Sequence, residues 1–217
     1  MKTLYIFGLL ATLIVVGADV CKLPSAQIPT EWITMVDSCT KKMKDQIVVE
    51  ITAAMTYMAM GAHFSRDTIN RPGFAKLFFE AASEERQHAI KLIEYLLMRG
   101  DVFKDIKNII KEVPKPKNTT WTNGLDALNQ ALTLEASVTV LINDIIKECD
   151  APQNEKKSND YHLVDYLTNE FLQEQYKGQR DLAGKASTLG KMIKSQGALG
   201  EFLFDKKLLN GELKFSK

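Results

Sequence analysis

Ser83-Glu84-Glu85-Arg86-Gln87-His88-Ala89 lies inside a stretch that contains no proline or glycine from Phe74 to Arg99. Its apolar residues recur as Phe78, Ala82, Ala89, Leu92 and Leu96, the spacing of a helix that buries one face. Pro72 suits the first turn of this helix, and Gly100 is a natural stop. Glu85 occupies a place in the row where an apolar residue belongs. His88, three residues on, shares its side of the helix. One Glu-x-x-His unit is weak by itself, because it also occurs on solvated helices and here adjoins the charged run Glu84-Glu85-Arg86. Its weight depends on what the other helices place opposite it.

Three further long helical stretches follow from the same periodicity, and no strand pattern of any length appears. The first runs from about Glu31 or Val36 to Arg66, with the seam Met43, Ile47, Glu50, Ala54, Tyr57, Gly61 and Phe64. The third spans about Asn123 to Cys149, with Leu128, Leu132, Glu135, Thr139, Ile142 and Ile146. The fourth spans about Asp160 to Lys194, with Phe171, Gln175, Gly178, Leu182 and Leu189. Gly197 marks a break before a short fifth helix, Leu199 to Leu209, whose apolar residues are Phe202, Leu203, Leu208 and Leu209. The connection from Asp101 to Thr122 is long enough to cross the whole molecule. The expected fold is an all-α four-helix bundle in which the second and third helices run parallel through this crossover.

Each helix thus puts one polar residue on its seam at one level: Glu50, Glu85, Glu135 and Gln175, with His88 beside Glu85 and Tyr57 two turns beyond Glu50. Taken singly, each has an ordinary reading as a solvated, core or packing residue. Together they require four seams to break at one level. Buried carboxylates are expensive unless paired or bound to cations, and no Lys or Arg stands on these seams. Oxygen-rich ligation with one imidazole suits iron or manganese better than structural zinc. A symmetric two-metal bundle carries two Glu-x-x-His units, whereas this chain has one. One metal is therefore expected at Glu50, Glu85 and His88 with Glu85 bridging, and a looser one at Glu85 and Glu135, with Gln175 and water nearby.

The N-terminus has a different composition. Met1-Lys2 precedes an apolar run from Leu4 to Val16, interrupted at Gly8 and Thr12, and Val16-Gly17-Ala18 offers small residues for cleavage. Residues 1–18 read as a signal peptide, too short for a stable membrane span, and no second apolar run of about eighteen residues follows. Residues 19–36 form an extension, 37–209 the helical domain and 210–217 a tail. The 217 residues carry a net charge of +1, which gives no reason to expect nucleic acid or an anionic membrane as partner. Three cysteines in an oxidising compartment suggest one intrachain and one interchain bond. The crossover brings the start of the first helix and the end of the third to one end, so Cys39 and Cys149 are placed to pair, leaving Cys21 for another chain. Asn118-Thr119-Thr120 is a glycosylation sequon.

These segments resemble the ferritins. The resemblance rests on Gln46-Ile47 through Arg66-Asp67, Phe74-Ala75-Lys76, Ser83 to Ala89, Trp121 to Glu135, Phe171-Leu172-Gln173-Glu174-Gln175 and Phe202-Leu203-Phe204-Asp205-Lys206. With the leader, the sequon and the cysteines, the chain looks like the secreted ferritins of insects and related arthropods. Glu50, Tyr57, Glu85, His88, Glu135 and Gln175 match the ligand positions of the heavy, iron-oxidising type. The resemblance implies a mixed shell of twenty-four subunits with a light-type partner, two irons per subunit cycling between Fe(II) and Fe(III), and O2 as oxidant. It also places Asp165 at the first acidic position of the three-subunit channel, but Thr168 takes the second, with Glu170 and more remotely Asp160 as the nearest acids. Glu80 and Glu84 match inner-surface acidic positions, and Gln87 replaces a third.

The activity expected is oxidation of Fe(II) by O2 and deposition of ferric mineral, with Gln175 orienting water or oxygen and Tyr57 holding a ligand carboxylate in place. Two other readings fit the bundle less well. A structural iron carrier with little turnover would have lost its ligands, and another two-metal oxidase would lack the fifth helix and carry a second Glu-x-x-His.

Overall fold

The computed structural model describes residues 27, 29–100, 109–150 and 159–213. After a 3-10 turn at Thr30–Trp32 come α1 (Asp37–Phe64), α2 (Pro72–Met98), α3 (Gly124–Asp150), α4 (Tyr161–Tyr166), a π-helical segment (Leu167–Leu172), α5 (Gln173–Gln196) and α6 (Ala198–Leu209). Among the described residues there is no strand. The signal peptide and Cys21 lie outside the described residues.

Each helix boundary has a local cause. Pro72 stands in the first turn of α2, where its missing N–H is no loss. Asp205 of α6 completes that end: its Oδ1 accepts from the backbone N–H of Gly73 at 2.8 Å and Phe74 at 3.0 Å. This approach leaves no room for a side chain at Gly73, where a Cβ would stand 2.0 Å from the Asp205 carbonyl oxygen. Asn123 accepts from the N–H of Asp126 at the start of α3, and Asp160 caps α4 through Leu163. Gly197, at φ 57°, turns the chain from α5 into α6.

Contacts between helix ends show the direction of the rods. Trp32 Nε1 donates to the Met98 carbonyl, and Arg99 reaches Thr34, so α2 ends where α1 begins. Cys39, near the start of α1, is disulfide-bonded to Cys149, near the end of α3, with Cα atoms 5.8 Å apart. The second and third helices therefore run parallel, and the long connection returns the chain across the bundle. From Ile109 onward this connection is described, and Ile109 and Trp121 are both buried.

The core falls into two halves. One, at the disulfide end, gathers Met43, Ile47, Leu92, Leu96, Ile142 and Leu167; the other gathers Phe64, Phe74, Phe78, Leu128, Leu189 and Phe204. Fully burying a side chain of this size contributes about 1.5–3 kcal/mol. The polar level separates the halves: Glu50 lies between Ile47 and Tyr57, Glu85 between Ala82 and Ala89, and Glu135 between Ala131 and Val138. Helix α1 is long and apolar enough by composition to cross a membrane, but half of its most apolar stretch is buried in the bundle.

Several residues depart from the periodic reading. The fourth rod is interrupted by the π-helical segment, which a seam read at α-helical spacing does not register. Gly178 is exposed and Leu182 half-buried, because both line the opening to the polar site. In α6 it is Phe204 and Leu208 that are buried; Phe202, Leu203 and Leu209 face outward. Leu132 and Ile146 are half-buried, and Ala131, Val138 and Ile145 carry more of the α3 core. Asp160, the more remote of the two acids near the expected channel, is 5% exposed and held by Arg99 in a two-pronged ion pair at 2.9 and 3.1 Å.

Candidate metal centre

Helix α1 supplies Glu50 and Tyr57, α2 supplies Glu85 and His88, α3 supplies Glu135 and α5 supplies Gln175. All six side chains are buried. The bundle brings together the residues expected to meet, at the level where its two apolar halves part.

Glu50, Glu85 and His88 form the tightest group. One ligand atom from each lies within 4.8 Å of the other two. Their electrostatics are those of a buried acid cluster. Burial, and then the nearby charge of Glu85, holds the Glu50 carboxyl well above the usual carboxylate range. Burial, and then the charge of Glu135, pushes Glu85 up to about 8. Glu50 Oε1 accepts from Gln46 Nε2 at 2.8 Å, but its Oε2 is buried without a hydrogen-bond partner. An orphaned carboxylate oxygen beside a second carboxylate and an imidazole fits a hard cation. Lys185, the buried lysine of α5, does not fill this role, since it pairs with Asp181.

Glu135 stands against Glu85 and accepts a hydrogen bond from the Tyr57 phenol. Burial, and then the Glu135 charge, raises the Tyr57 phenol well above its ordinary value, so it keeps the proton it donates. Gln175 is oriented by Thr139, whose Oγ1 lies 3.0 Å from Gln175 Oε1 and 2.9 Å from the Glu135 backbone oxygen. Thr139 in turn accepts from Gln179 Nε2 at 2.6 Å. A hydroxyl has one proton, so it serves these two acceptors in alternation. Gln46, Thr139 and Gln179 were missed as positioning residues. Gln46 could have been found four residues before Glu50 on the same face, and Thr139 by its place on the α3 seam.

A cavity of about 190 Å³ opens onto this centre between α2 and α5. Glu85, His88, Glu135 and Gln175 line its floor, and Glu80, Glu84, Glu174 and Asp181 its acidic walls. Glu174 Oε2 lies 3.3 Å from His88 Nε2 and 3.6 Å from Lys91 Nζ, joining wall to floor. Burial and the Glu174 charge raise the Glu84 carboxyl. Gly178 lies on the rim, and no atom stands within 4 Å of the place its Cβ would take.

A helical bundle with a buried carboxylate–imidazole centre and a parallel crossover defines a class, and the comparison with known families agrees: the ferritin-like domain model matches residues 40–192. The chain belongs to the ferritin family. It is 55% identical over 202 residues to the ferritin heavy chain of Trichoplusia ni, covering 93% of this chain and 94% of that one. To the ferritin heavy chain of Drosophila melanogaster it is 52% identical over 188 residues, covering 87% and 89%. The crystal structure of Trichoplusia ni secreted ferritin superposes with a TM-score of 0.82 at 56% identity, covering 88% of this chain and 97% of that one.

Proposed function

We propose that this chain is the heavy-type, iron-oxidising subunit of a secreted iron-storage shell. The observation that carries the reading is the buried Glu50–Glu85–His88 group, with its orphaned Glu50 oxygen, opening onto an acid-walled cavity. The heavy-chain relatives support the subunit type, and the secreted neighbour supports the compartment. On this reading residues 1–18 are a leader removed on export, 19–36 an arm, 37–209 the iron-binding domain and 210–217 a tail. Cys21 links a light-type subunit within a twenty-four-subunit shell.

Iron is the substrate, two ions per subunit. Glu50, Glu85 and His88 hold one, with Glu85 shared; Glu135 holds the other, with Gln175 near it. Anionic oxygen ligands favour Fe(III) over Fe(II), which lowers the cost of electron loss to O2. The two Fe(II) ions supply two electrons, which take O2 and two protons to hydrogen peroxide. Tyr57 keeps Glu135 in one orientation, Gln46 does the same for Glu50, and Thr139 for Gln175. The acidic walls attract Fe(II) inward and accept Fe(III) outward.

The test is a double replacement at the shared ligand and the imidazole. Shells carrying Glu85→Lys with His88→Gly should assemble normally by size-exclusion chromatography and lose rapid Fe(II)-dependent O2 consumption. Oxidation at the wild-type rate would place the centre elsewhere.

A further inference from the structure

A row of aromatic rings leads from the metal centre toward the disulfide end of the bundle. His88 packs on Phe171 with ring centroids 5.6 Å apart, Phe171 meets Tyr166 edge-on at 5.7 Å, and Tyr166 stacks on Tyr95 at 4.3 Å. The π-helical segment makes this row possible. Bonding from i to i+5 brings residues five apart toward one side, as Tyr166 and Phe171 require. Tyr95 follows His88 by seven residues and shares its face of α2.

The far end of the row is polar. Tyr95 is 3% exposed, and its oxygen lies 2.9 Å from His162 Nδ1. The same oxygen accepts from Arg99 Nη1 at 2.6 Å, and Arg99 is fixed by Asp160. A guanidinium has no acceptor, so within this group the phenolic proton has one place to go, His162 Nδ1 in the tautomer that carries its proton on Nε2. His162 itself is exposed. Packing alone would be satisfied by phenylalanine at position 95. Burial raises the Tyr95 phenol to about 12, so it cannot shed its proton first; an electron leaves only if a base takes the proton.

We propose that Tyr95 and His162 form a proton-coupled electron donor to the iron centre, connected to it through Tyr166, Phe171 and His88. The proposal rests on the iron-oxidising reading above. Hydrogen peroxide formed there needs two more electrons to become water. A single Fe(II) ion supplies one of them, which would otherwise release hydroxyl radical. Tyr95 supplies the second, and its proton moves to His162 Nδ1. The balance is H2O2, Fe(II), tyrosine, neutral histidine and two solvent protons giving two waters, Fe(III), a neutral phenoxyl radical and an imidazolium.

Freeze-quench electron paramagnetic resonance tests the link. Shells loaded with one Fe(II) per subunit and mixed with hydrogen peroxide should show a tyrosyl signal. That signal should be lost in Tyr95→Phe and reduced in Phe171→Leu, with Fe(III) formation in the same samples followed by Mössbauer spectroscopy. A signal that survives Tyr95→Phe, or vanishes only in Tyr57→Phe, overturns the proposal. Absence of Fe(III) at the site would instead count against the iron-oxidising reading. The pair is then judged on iron-free protein oxidised by a ruthenium tris-bipyridyl photosensitiser with persulfate. Tyrosyl formation there should show a solvent deuterium effect that His162→Ala abolishes. The same yield and isotope effect in wild type, Tyr95→Phe and His162→Ala would overturn the donor pair.

Discussion

Tyr57 of α1 donates its phenolic proton to Glu135 of α3 across the middle of the bundle. The bond ties an acid of the centre to the helix opposite and fixes the direction of its oxygens. Tyr57→Phe removes the donor and keeps the ring. Leaving a buried acceptor without its partner costs about 1–3 kcal/mol. Loss of a group that orients a ligand slows Fe(II) oxidation by about tenfold or more. Urea unfolding of iron-free protein and stopped-flow oxidation check the two effects separately.

The raised carboxyls make iron-free stability depend on pH. Glu85 is pushed from 4.5 up to about 8, and Glu50 is raised as well. A carboxyl raised in the folded state ionises first in the unfolded chain. Its contribution is complete below the unfolded value and is lost as pH climbs through the folded one. Iron-free protein should therefore lose stability between about pH 5 and 8, by up to about 1.4 kcal/mol per pH unit for each carboxyl. Thermal melts across that range should fall less steeply in Glu85→Gln. An equal slope in both proteins would contradict the account of the cluster.

The Cys39–Cys149 bond closes a loop of 110 residues. Restricting an unfolded chain of that length is worth about 4–5 kcal/mol in the chain-entropy account. Cys39→Ser should lower the denaturation midpoint accordingly, and reductant should lower the midpoint of the wild type more than that of the variant.

Asp205, more than a hundred residues away in sequence, holds the start of α2 through Gly73 and Phe74. Asp205→Ala should cost about 1–3 kcal/mol. Hydrogen exchange should speed first at the Gly73 and Phe74 amides, while the disulfide end stays protected.

The seams of α1 and α2 were legible because these helices bury one regular stripe. Every apolar seam residue named in them is buried, and the acids at the break are buried too. The parallel crossover followed from one long connection, and the Cys39–Cys149 pair followed from the crossover. The fourth rod was less legible. A π-helical segment leaves no mark on a pattern read at 3.6 residues per turn, and an exposed glycine lining an opening reads as a seam residue. The role of Asp160 was not legible, because an acid near a helix start serves as cap, ion-pair partner or surface charge with the same letter. Gln46 and Thr139 had the right spacing, but a neutral polar residue on a helix face carries no sign that it orients a ligand rather than meets solvent or backbone.

The most direct test of the centre is an anomalous-scattering map from iron-soaked crystals. The account predicts two iron peaks per subunit inside the bundle, about 3.5 Å apart as in other two-metal sites. One should lie among Glu50, Glu85 and His88, and a weaker one beside Glu135. Iron bound only along the exposed Glu80, Glu84 and Glu174 walls, with nothing between the helices, would contradict it.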